Sequence, residues 1–136
     1  MNEGTVRQWI RKAENDLKIG VDEMSTTEPA TDAVCFHMQQ CAEKYLKAYL
    51  IAYGKEYPRP HNLERLVRLC ADIQGDFLEL AESGVFELTT YATDLRYGEE
   101  FYLPSVEEVN RAIALAKRVR GFVRQKLQES GLTFAD

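Results

Sequence analysis

Most of the residues in this sequence that could do chemistry fall in one run, Cys35-Phe36-His37-Met38-Gln39-Gln40-Cys41-Ala42-Glu43-Lys44-Tyr45-Leu46-Lys47-Ala48. Wound as a helix at about 100° per residue, it places His37, Cys41, Lys44 and Ala48 on one narrow stripe, with Gln40 and Ile51 beside it. A histidine whose ordinary pKa is ~6.5 donates or accepts a proton near neutral pH. A lysine supplies a point charge for a phosphate oxygen. The plainer reading is that His37 and Gln40 are boundary polar groups satisfied by neighbouring helices. Cys35 and His37 stand ~200° apart on such a helix and cannot grip one ion, so no metal is expected. Cys41, one turn from His37, has the spacing of a nucleophile and its base, but no third group orients the pair and Cys41 adjoins the apolar face. No catalytic residue and no cofactor are expected.

A second group lies further along the chain. His61 follows Pro60 and precedes Asn62, a good helix cap, which puts its ring at a helix entrance near exposed N–H groups. Arg96 is the one cation between Asp72 and Glu100, a stretch with eight acidic residues. It either pairs with those acids or, with Tyr97, offers a planar cation and an aromatic ring to a phosphate and a base. The expected ligand site is therefore where the His37/Gln40/Lys44 stripe meets Asp94, Arg96 and Tyr97, with His61 as a further candidate. Six basic residues and no acid lie between Val109 and Gln128, which reads as a positive outer face on the last helix.

The elements that must position these residues read as helices throughout. Val6, Trp9, Ile10, Ala13, Leu17 and Val21 recur at three and four residues, predicting a first helix from about Thr5 to Met24. The second runs from about Ala30 to Tyr53 and ends at Gly54. Its core face is Val34, Met38, Ala42, Tyr45, Tyr49 and Ala52. Phe36 and Leu50 lie opposite, so this helix needs a second apolar partner, expected to be a second copy of the chain. After Pro58-Arg59-Pro60, Asn62 caps a third helix. Asp76 and Glu79 have capping-box spacing for a fourth, whose apolar pattern reaches Leu95 and is interrupted by Gly84. Gly98 to Pro104 reads as a loop, and Ser105 with Glu108 opens a long final helix. No strand is expected. The fold class is all-α: an up-and-down antiparallel bundle of four to five helices in a single domain, residues 1–136.

Composition agrees. A chain of 136 residues with 45% apolar content is long enough for one core and too apolar for disorder. Its net charge of −5 argues against a dedicated duplex binder. No apolar run approaches a membrane span and no secretory signal is visible, so a reducing cytoplasm is the expected compartment, with Cys35, Cys41 and Cys70 as buried thiols.

The run from Cys35 to Ala48, then Pro60-His61-Asn62-Leu63, then Tyr91-Ala92-Thr93-Asp94-Leu95-Arg96-Tyr97, with Glu14-Asn15-Asp16-Leu17 ahead of them, resembles the HEPN family of prokaryotic helical domains. The resemblance spans nearly the whole chain. It implies a four- to five-helix bundle, usually a homodimer, often encoded beside a small nucleotidyltransferase and in several branches acting on RNA. Catalytic branches resemble one another in an Arg followed four to six residues later by His. Here Arg96 is followed at those distances by Glu100, Phe101 and Tyr102, so the RNase motif is absent. Asp94-Leu95-Arg96-Tyr97 resembles the Arg-Tyr-Pro ending of the small stand-alone branch, with Gly98 in place of Pro. The expected function is thus a non-catalytic dimeric domain that supplies a nucleotide or nucleic-acid surface to a partner nucleotidyltransferase, in the manner of a toxin–antitoxin pair. The alternatives are a divergent metal-independent RNase using Arg96 with His37 or His61, and a purely structural dimerisation module.

Overall fold

The computed structural model describes residues 1–57, 62–93, 96–97 and 99–135, with 96 and 97 described in the backbone alone. Three long helices carry the fold: α1 (Glu3–Glu23), α2 (Thr31–Ala52) and α5 (Val106–Glu129). Between α2 and α5 lie α3 (Leu63–Ile73), the single turn α4 (Leu78–Ala81) and a 3-10 stretch, Val85–Ala92. The expected all-α bundle is what forms.

Local chemistry explains most of the boundaries. Asn2 and Asn62 cap α1 and α3 by accepting from the backbone N–H of Thr5 and Arg65 at 3.3 and 3.1 Å. Gly54 takes φ +67, and the N–H of Lys55 and Gly54 return to the carbonyls of Leu50 and Ile51 at 2.9 and 3.0 Å. This closes the end of α2 in the way its glycine announced.

The stretch after α3 departs from expectation. Gln74, not Asp76, accepts from a backbone N–H there, while the Asp76 carboxylate receives Lys126 of α5 at 2.8 Å. The fourth helix is cut to one turn because Gly84 adopts φ +88, after which the chain winds as 3-10 helix. Beyond it, Arg96–Tyr97 (β1) pairs antiparallel with Glu100–Phe101 (β2), Arg96 opposite Phe101. This two-residue ladder departs from the expectation of no strand: β2 lies within the expected loop from Gly98 to Pro104, and β1 just ahead of it.

α1 runs antiparallel to both α2 and α5. Trp9 meets Lys47 while Asp16 meets His37, and Arg7 meets Thr133 while Glu14 meets Arg120. α2 and α5 therefore run the same way, and Tyr53 and Ser130 hydrogen-bond across their C-terminal ends at 2.5 Å.

α2 is the centre of the bundle. It packs on α1 and α5 on one side and on α3 and the 3-10 stretch on the other. Leu50, expected on an inter-subunit face, is fully buried within the chain and faces Leu69 and Ile73 of α3. The second apolar partner that α2 needs is thus an intramolecular one. Phe36, nearer the N-terminal end, stays 40% exposed. On α1 the buried stripe is Val6, Ile10, Ala13, Asp16 and Gly20, and Val21 is exposed.

Leu50→Ala is expected to lower unfolding stability by ~2–5 kcal/mol, the cost of a large-to-small change in a packed core. A urea midpoint close to wild type would mean that Leu50 is not a core residue.

Candidate functional site

Asp16 organises the polar side of α2. Its carboxylate is almost wholly buried, yet it occupies a position on the apolar stripe of α1, so it must be partnered. One oxygen stands 2.7 Å from Nδ1 of His37 and the other accepts from Nζ of Lys44 at 2.6 Å. Because a carboxylate only accepts, His37 donates from Nδ1 in this contact. His37 and Lys44 are half-buried, at 27% and 21% side-chain exposure. Both are therefore reachable from solvent while held from beneath.

Gln40 belongs to a neighbouring ladder along α2. Its amide donates to Gln39 at 2.7 Å, Gln39 donates to Glu43 at 3.3 Å, and Lys47 donates to Glu43 at 3.2 Å. Gln39, Glu43 and Lys47 are all buried. Trp9 and Tyr57 meet edge to face, and the Lys47 ammonium lies 5.6 and 4.8 Å from their ring centroids. Those rings substitute for part of the lysine's lost hydration.

The remaining expected residues divide. His61 and Asp94 lie outside the described residues. Arg96 and Tyr97 form β1, and β2 brings Phe101 to the same end of the molecule as the first turns of α2. There a cavity of about 500 Å³ is lined by Asp32, Phe36, Tyr91, Thr93, Phe101 and Tyr102, with Ala33, Ala92 and Leu103 between them. The structure thus brings β2 beside Phe36, the neighbour of His37, and gathers His37 and Lys44 on Asp16. Its second wall is set by Glu108, whose amide N–H is capped by Ser105 at 3.1 Å and whose carboxylate accepts from the hydroxyls of both Tyr91 and Tyr102. The capping box expected at Ser105 is therefore half formed, its acid being diverted to the two phenols.

The basic face of α5 is largely consumed by the fold. Arg120 and Arg124 bind Glu14 at 2.8 and 3.3 Å, Arg111 binds Glu87 at 2.7 Å and Lys126 binds Asp76 at 2.8 Å. Lys117 and Arg118 are exposed.

Asp16 is the residue that sequence reasoning missed. The signal was present: the spacing Val6, Ile10, Ala13, Gly20 leaves a core position at Asp16, and an acid there demands a cationic or N–H partner. Tyr91 and Glu108 escaped for another reason, since their contact joins residues 17 apart through an irregular segment.

Cys41 is no nucleophile in this setting. Burial, reinforced by Glu14 and Asp16, pushes its thiol well above the usual range; burial alone does the same to Cys70, and burial with help from Glu108 lifts Cys35 to about 12. A raised folded-state pKa leaves these groups as neutral thiols, so all three are expected to resist alkylation by iodoacetamide at pH 8 until the chain is unfolded. Rapid native-state labelling, read by mass spectrometry, would contradict that. Asp16→Ala strands a half-buried ammonium and an imidazole N–H, and a loss of ~1–3 kcal/mol is expected. Calorimetry of the variant beside His37→Gln measures it, and a transition temperature unchanged in Asp16→Ala would remove Asp16 from this role.

A family model described as HEPN domain matches residues 6–126. Among solved structures, the chain is 27% identical to the archaeal HEPN homologue ST0689, over 89% of this chain and 96% of that one, with a TM-score of 0.63. It is 25% identical to TT1696 from Thermus thermophilus, over 93% and 99% of the two chains, with a TM-score of 0.64. Among curated proteins nothing matches.

Proposed function

The chain belongs to the HEPN domain family, and from that premise we propose that it is a non-catalytic dimeric domain offering a nucleotide or RNA surface to a partner nucleotidyltransferase, as in a toxin–antitoxin pair. One observation carries this reading. β2, paired with Arg96 and Tyr97, shares a cavity with Phe36, next to the His37/Lys44 pair that Asp16 holds half-exposed. Within this reading Lys44 and Arg96 receive phosphate oxygens, Tyr97 stacks on a base, and His37 offers Nε2. Gln40, His61 and Asp94 complete the ligand set. Of the two residues expected at a homodimer contact, Phe36 is at the surface and Leu50 is not.

The Asp16–His37 contact favours one second reading, a divergent metal-independent RNase in which Arg96 works with His37 or His61. An oriented imidazole with a free nitrogen is what a general base requires. RNA cleavage by metal-free protein, abolished in Arg96→Ala and His37→Ala, would establish the enzyme over the binding domain.

For the binding domain, affinity for a labelled short RNA is expected to fall about tenfold in Lys44→Ala and in Arg96→Ala, and to weaken as salt rises. Sedimentation should show a dimer at micromolar concentration. Unchanged RNA binding by both folded variants would make these residues structural ion-pair partners and overturn the assignment.

A further inference from the structure

The cavity beside Phe36 has a built interior that the phosphate-holding residues do not explain. Four of its lining residues are aromatic: Phe36, Tyr91, Phe101 and Tyr102. Two of these rings do not depend on a ligand for their position, because the Glu108 carboxylate holds the hydroxyls of Tyr91 and Tyr102 at once. Burial and that hydrogen bond raise the Tyr91 phenol above its ordinary range, so it remains a donor to Glu108 at any physiological pH. Phe101 and Phe36 are 67% and 40% exposed. At about 500 Å³ the cavity is of the size that takes a small planar molecule, within the range of roughly 300–1,000 Å³ typical of ligand sites.

Polar groups then narrow the ligand. Asp32, in the first turn of α2, lines the cavity with an acceptor-only carboxylate, and Thr93 adds a hydroxyl. Aromatic walls suit a flat ring. A carboxylate at the mouth suits a ring that donates N–H groups and disfavours phosphate or a carbonyl edge. Exposed Glu99, Glu100 and Glu107 on the adjoining segments strengthen that preference. We propose that this cavity seats an amino-bearing nucleobase, adenine, cytosine or guanine in class, stacked among Phe36, Phe101 and Tyr102 and donating its exocyclic amino N–H to Asp32. The proposal rests on the reading of this end of the molecule as a nucleotide or RNA surface, and it adds which part of the nucleotide enters: the base, with the phosphate directed away toward Lys44.

Nucleosides, which lack phosphate, separate the two. Adenosine, inosine, cytidine and uridine are titrated into the full-length, ¹⁵N-labelled protein, and short RNA and inorganic phosphate are titrated in parallel. Adenosine and cytidine are expected to shift the amide signals of residues 32–36, 91–93 and 101–103, and to bind about tenfold more tightly than inosine and uridine. Asp32→Asn, whose amide both donates and accepts, should erase that preference, and Phe101→Ala should weaken all four. If no nucleoside shifts these signals while RNA or phosphate still shifts those of His37 and Lys44, the base seat is wrong and the phosphate reading stands. Nucleoside binding without any response at His37 and Lys44 to RNA or phosphate leaves the base seat standing and removes the phosphate reading. Equal affinity for all four nucleosides in both wild type and Asp32→Asn overturns the role of Asp32. Dissociation of a dimer by Phe101→Ala, with cavity signals silent to nucleosides, would show that a second copy covers this surface and overturn the proposal.

Discussion

Burial of most of α2 is the constraint from which the rest of this molecule follows. A helix packed against α1, α5, α3 and the 3-10 stretch keeps only the narrow edge of His37, Gln40 and Lys44, beyond its exposed first turns, on which to leave polar groups near water. Buried polar groups are tolerated only when hydrogen-bonded, and buried charges only when paired. α2 meets this by spacing its polar residues one turn apart, so that Gln39, Glu43 and Lys47 satisfy one another along the helix while Trp9 and Tyr57 cover the ammonium. The same demand reaches α1 as Asp16, whose two oxygens answer His37 and Lys44.

The ion pairs that result join elements far apart in sequence. Glu14 ties α1 to α5 through Arg120 and Arg124, and Asp76 ties the segment after α3 to Lys126 near the end of α5. Pairs of this kind, partly shielded from solvent, contribute modestly to stability, but they fix the register in which helices meet. They also leave little of the positive charge of α5 for an external anion.

The cavity beside Phe36 is walled by the stretch with the least regular backbone. Between Gln74 and Ser105 the described residues make two 3-10 segments, Gly75–Phe77 and Val85–Ala92, a single α-helical turn and a two-residue ladder. Such a segment cannot bury a continuous apolar stripe: Phe77 and Tyr91 reach the core, while Phe101 and Tyr102 are left exposed beside the first turns of α2. Glu108, at the start of α5, compensates by holding Tyr91 and Tyr102 together. A frame of three long helices thus carries a locally irregular, aromatic-walled cavity.

Helical periodicity, the Asn62 and Ser105 caps and the Gly54 stop are local properties, so the sequence by itself determined the all-α class and most helix boundaries. The ordered motifs from Glu14 to Tyr97 determined the family. Long-range packing decided what local pattern could not. Leu50 looked like an inter-subunit residue because helical angles say which residues share a face, not what covers that face; α3 covers it. The positive run on α5 read as a free surface until Glu14, Glu87 and Asp76 arrived from elsewhere in the chain. Asp16 was legible in principle, as an acid on an apolar stripe, yet its partners lie 21 and 28 residues away. The cavity was not legible at all, because it depends on a ladder too short to leave an alternating pattern and on one carboxylate bridging two tyrosines across an irregular loop. Charge and shape at a site are sums over contacts distant in sequence, and only the tertiary structure carries out that sum.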